Sequence, residues 1–93
     1  MGSTTISLID GEFNLQEARE ILIDLINKKI HYHSLKNHEK WERNGVEDVF
    51  SANRIKELQC AREKILELTS KEFPKDFKLK INSIIEIGGI NDF

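Results

Sequence analysis

The chain has 93 residues, which bounds it to one domain near the size at which a single core becomes workable. Apolar residues make up 39% and charged residues 32%, with 14 basic against 16 acidic side chains and a formal net charge of −2. That balance excludes a basic nucleic-acid arm, an acidic tail and a compositionally disordered chain.

Thirteen isoleucines stand against two valines and three alanines. The longest uninterrupted apolar run is three residues, Ile21 to Ile23, far short of a membrane span. The opening residues lack the charged and apolar regions of a secretory leader, and Ile6 replaces the Ser or Thr that myristoylation after Met1-Gly2 requires. The single cysteine, Cys60, has no internal disulfide partner, so a reducing, cytoplasmic setting is expected.

Residues 4 to 13 read as a strand, β-branched and partly alternating, with Asp10-Gly11 suggesting a bulge or a bent end. Asn14 opens a helix of strong local signals. It stands at the cap, Glu17 completes a capping box, and Phe13 is placed to staple onto Ala18. The 3.6 period then runs through Leu22, Leu25, Ile26 and Ile30 to about residue 38, with Asp24 and Lys28 as an i,i+4 ion pair.

Residues 39 to 48 form a corner around Asn44-Gly45. A second helix is expected over about 49 to 72, periodic through Ile55, Leu58, Ile65, Leu66 and Thr69, and stopped by Pro74. Residues 77 to 87 alternate with period two, placing Phe77, Leu79, Ile81, Ser83, Ile85 and Ile87 on one face; 90 to 93 are expected to fray. The order is β-α-α-β. A long antiparallel helical hairpin then returns the chain so that the terminal strands pair antiparallel, an α+β layer arrangement. A lone two-stranded ribbon is marginal in water, and the isoleucines broaden the first helix stripe beyond one side. Both features point to completion by a second copy.

A helical wheel places Lys29 and His33 near the centre of the first helix's apolar stripe and Arg62 beside that of the second. One reading is structural: the cationic stems snorkel and His33 is a neutral core residue. The other makes Lys29, His33 and Arg62 an anion pocket or a polar dimer contact. At the corner, Trp41 and Arg43 are candidates for partner binding, since those residue types dominate interface hot spots. The plainer alternative has Trp41 closing the hairpin end and Glu39 pairing with Arg43.

No metal site is expected, because His31 and His33 diverge on a helix and no zinc-ligand spacing occurs. No catalytic motif, phosphate loop or cofactor signature occurs either, so an enzyme is not expected. Lys75, Lys78 and Lys80 near the last strand serve more simply to blunt an edge than to bind nucleic acid. The sequence favours a non-enzymatic, homodimeric protein-interaction or regulatory accessory protein. The alternative is a small-ligand or anion-binding module, and a remote third is an enzyme whose site is shared between protomers.

Overall fold

The computed structural model describes residues 2–89. Four elements follow in order: β1 (Ser3–Phe13), α1 (Leu15–Asn44), α2 (Val49–Thr69) and β2 (Leu79–Gly88). The helices form an antiparallel hairpin and the two strands one antiparallel ribbon, the α+β arrangement that the element order implies. Residues 90 to 93, expected to fray, lie outside the described region.

The start of α1 is fixed by the expected capping box. The Glu17 amide donates to the Asn14 side chain at 2.8 Å, and the Asn14 amide donates to the Glu17 carboxylate at 3.4 Å. Phe13 is half-buried, and Ala18, five residues on, is fully buried. The helix continues six residues past the expected end, because good helix formers fill 39 to 43 and nothing breaks the run before Asn44-Gly45. Gly45 closes it in the left-handed region at φ 67°, donating to the Trp41 carbonyl at 2.8 Å. The corner is therefore only four residues, 45 to 48.

At the start of α2 the Asp48 side chain accepts from the Ser51 amide at 3.1 Å, while the Asp48 amide donates to Asn37 on α1 at 2.6 Å. The helix ends at Thr69 rather than near 72. There the hydroxyls of Thr69 and Ser70 donate back to the Ile65 and Leu66 carbonyls at 2.7 and 2.6 Å, taking up backbone acceptors in the last turn. Phe77 lies outside β2 and stacks on Phe73 with centroids 4.2 Å apart.

The ribbon divides its two faces by polarity. One face carries Thr4, Ile6, Ile9, Gly11 and Phe13 opposite Ile87, Ile85, Ser83, Ile81 and Leu79. The other pairs Thr5 with Glu86, Ser7 with Ile84, Asp10 with Asn82 and Glu12 with Lys80. The bulge falls at Leu8, not at Asp10-Gly11, which sits inside the ladder. Its placement has a clear consequence: Ile6 and Ile9, three apart, share a face only because Leu8 is the extra residue. A Cβ at Gly11 would make an ordinary contact with the Phe13 ring, at 3.4 Å.

The core is thin. Between the helices lie half-buried Leu22, Ile26 and Ile30 with Ile55, Leu58 and Ile65. Full burial of such side chains is worth about 1.5–3 kcal/mol each, and half-burial correspondingly less. Among the described residues Ala18 is the one apolar residue that is completely buried. The ribbon approaches α1 at few positions and α2 at none. The resulting chain is a flat plate, 52 × 35 × 14 Å between outermost Cα atoms.

Candidate functional site

Two features of the plate carry chemistry: the uncovered face of the ribbon and a buried histidine in the hairpin. On the ribbon, the part joined to α1 is half-buried through Ile9, Phe13, Leu79 and Ile81. Farther out, Ile6, Ile85 and Ile87 are 44, 37 and 47% exposed. These side chains form an exposed apolar strip along one face of the ribbon.

His33 is only 4% exposed, yet neither ring nitrogen has a hydrogen-bond partner. Its ring stands edge-on to Tyr32, with centroids 5.2 Å apart, and to Phe50 on α2 at 6.2 Å. Burial pushes its pKa below the ordinary value, and the nearby cations Lys29, Arg54 and Lys36 push it further down, against a smaller upward pull from Asp48. The imidazole is therefore held neutral beside an excess of positive charge.

Of the sequence-derived candidates, Lys29 does not turn inward. Its ammonium lies over the Tyr32 ring, 5.0 Å from the centroid, with Lys36 at 5.6 Å from the same ring. Both contacts are cation–π geometry at an exposed site. Arg62 is committed elsewhere, donating to the Asn27 side chain at 2.7 Å. Lys29 and His33 thus belong to one neighbourhood and Arg62 to another. Lys36, Arg54, Tyr32 and Phe50 complete the surroundings of His33. Lys29, Tyr32 and Lys36 at steps of three and four give a sequence signal for half of that group; the α2 half becomes visible only once the hairpin register is known.

Trp41 is 59% exposed on the last turns of α1. It borders a groove of about 410 Å³ with Asn37, His38 and Glu47. Arg43 is exposed, and in the last turns of α1 the His38 Nε2 lies 3.0 Å from the Glu42 carboxylate, while no Glu39–Arg43 ion pair forms among the described residues. A larger open groove, about 640 Å³, runs beside Ile23 and Leu66 with Arg19, Glu20 and Asp24 on its walls. Cys60 is free and exposed. No three His, Cys, Asp or Glu residues among those described are placed to hold a metal ion. Among the described residues no helix is long and apolar enough to cross a membrane.

Comparison with known protein families, with curated proteins and with solved structures finds no match for this chain.

Proposed function

We propose that the protein is a small, non-catalytic, cytoplasmic interaction or accessory module that works as a homodimer. The observation that carries this reading is the accessible surface of the single chain, 7439 Å². A compact monomer of 10.8 kDa exposes about 5,500 Å². The radius of gyration, 16.9 Å, exceeds the roughly 12 Å of a compact chain this long. A surplus near 1,900 Å² per chain is what an obligate partner removes from water. A copy of the same chain supplies it without a second gene product. Sedimentation velocity over a wide concentration range tests the reading: a dimer is expected throughout, and a monomer at the highest concentration overturns it.

A second reading, an anion-binding module, is favoured by one observation, the crowding of Lys29, Lys36 and Arg54 around a neutral His33. Inorganic phosphate or a nucleotide at 100 times its dissociation constant would add about 2.7 kcal/mol of stability. An unchanged melting temperature across such a panel removes this reading.

A further inference from the structure

We propose that the apolar face of the ribbon docks on the same face of a second copy, ribbon against ribbon across a two-fold axis, forming the apolar centre of the dimer. This rests on the homodimer reading and adds to it the surface used.

Three observations carry the choice. First, the strip is self-complementary: Ile6, Ile9, Ile81, Ile85 and Ile87 lie on a face without a single ionisable residue, so two copies bring no like charges together. The helical surfaces offer no such match. One groove is walled by Arg19, Glu20 and Asp24, and the side around His33 carries Lys29, Lys36 and Arg54. Isoleucine laid over either would strip water from fixed charges at a cost of several kcal/mol per ion.

Second, the ribbon face has the length of an interface centre: the paired residues of β1 and β2 span about 33 Å. The ribbon is too narrow to account for the surplus surface alone. It supplies the dry centre, and adjoining hairpin surface supplies the polar rim found in most interfaces. Third, edge-to-edge pairing of the ribbons would leave the isoleucines in water. The Leu8 bulge on β1 and Lys80 on β2 also interrupt clean edges. Face-to-face sheets pack about 10 Å apart with interdigitated side chains, which β-branched isoleucine suits.

The test compares the full chain with Ile6→Thr/Ile85→Thr, which keeps β-branched residues in the strands, and with Ile84→Thr on the opposite face. Sedimentation is expected to show the double variant at least tenfold weaker as a dimer, with Ile84→Thr unchanged and circular dichroism alike in all three. A second measurement covers a double variant that fails to fold. In a Cys60→Ser background, a short bismaleimide is expected to link copies of Ile85→Cys and not copies of Ser7→Cys. A dimer that persists in the folded double variant, or cross-linking at Ser7→Cys in preference to Ile85→Cys, overturns the ribbon interface while the dimer stands. A monomeric wild type overturns both.

Discussion

The Arg19 Nε on α1 donates to the Thr69 hydroxyl at the end of α2 at 2.9 Å, and the same guanidinium donates to Ser70 at 2.8 Å. One side chain thus ties the first turns of one helix to the last turn of the other, at the end of the hairpin that no loop closes. Thr69 is buried and already donates to the Ile65 carbonyl, so its hydroxyl oxygen needs a donor from outside the helix. Arg19→Met is expected to lower stability by about 1–2 kcal/mol, since hydrogen bonds to charged groups are worth more than neutral ones but this pair is partly solvated. Arg19→Lys should recover only part of the loss, because an ammonium lacks the fork that reaches both hydroxyls. Urea midpoints with unchanged slopes would show it.

The two caps of α1 offer an additive pair. Asn14→Ala removes the capping box at a cost of about 1 kcal/mol. Gly45→Ala places a Cβ in the left-handed region at φ 67°, costing roughly 1–2 kcal/mol although the space around it is open. The sites lie at opposite ends of a 30-residue helix and share no partner, so their effects should add. In calorimetry each kcal/mol lost is expected to lower the melting temperature by about 4–8 °C.

Much of this architecture is local, and local features are what a sequence states openly. The Asn14–Glu17 box, the Asp24–Lys28 ion pair at 2.9 Å and the alternation of β2 all lie within a few residues of their cause. The position of the bulge was hidden for the opposite reason. Asp10-Gly11 carries a turn signal, but parity between Ile6 and Ile9 decides the matter, and parity matters only against a paired strand. The environment of His33 was half hidden likewise, since Phe50 and Arg54 join it across the hairpin. Arg62 shows the limit of a wheel: its angle beside the stripe was legible, but its bond to Asn27 depends on the crossing of two helices.

His33 should make the protein sensitive to mild acid. Burial does most to lower its proton affinity, the cations Lys29 and Lys36 on α1 and Arg54 on α2 lower it further, and Asp48 at the start of α2 pulls it up. The unfolded chain takes up this proton near pH 6.5, before the folded chain does. Stability from this residue is therefore complete above about pH 6.5 and is lost as pH falls from there through the folded value. His33→Leu should flatten the melting-temperature profile in that window, and tolerate neutral pH well because neither ring nitrogen has a partner to lose. Asp48 acts lower on the scale. The Ser51 amide holds its carboxyl below the usual range, so its contribution persists until acid protonates it there; Asp48→Asn should remove that lower limb and, by taking away the anion that pulls His33 up, move the mild-acid limb to lower pH. A profile unchanged by His33→Leu would show that the mild-acid response lies elsewhere.

The Leu8 bulge makes two single-residue deletions differ sharply. Deleting Leu8 removes the unpaired position, and Ile6, Ser7 and Ile9 then alternate regularly against Ile85, Ile84 and Ser83. The apolar face survives, and the strand loses only local twist and one half-exposed leucine. Deleting Asn82 on β2 instead removes the partner of Asp10 from a regular stretch of the ladder. Every residue on one side of the deletion moves to the opposite face, so either Ile85 and Ile87 or Ile81 and Leu79 exchange places with the polar set. The Leu8 deletion is therefore expected to keep wild-type circular dichroism and melting within a few degrees. The Asn82 deletion should melt early and aggregate, since an isoleucine strip displaced from its partner becomes a template for other chains. Equal behaviour of the two deletions in parallel melts would mean that the bulge does not set the register.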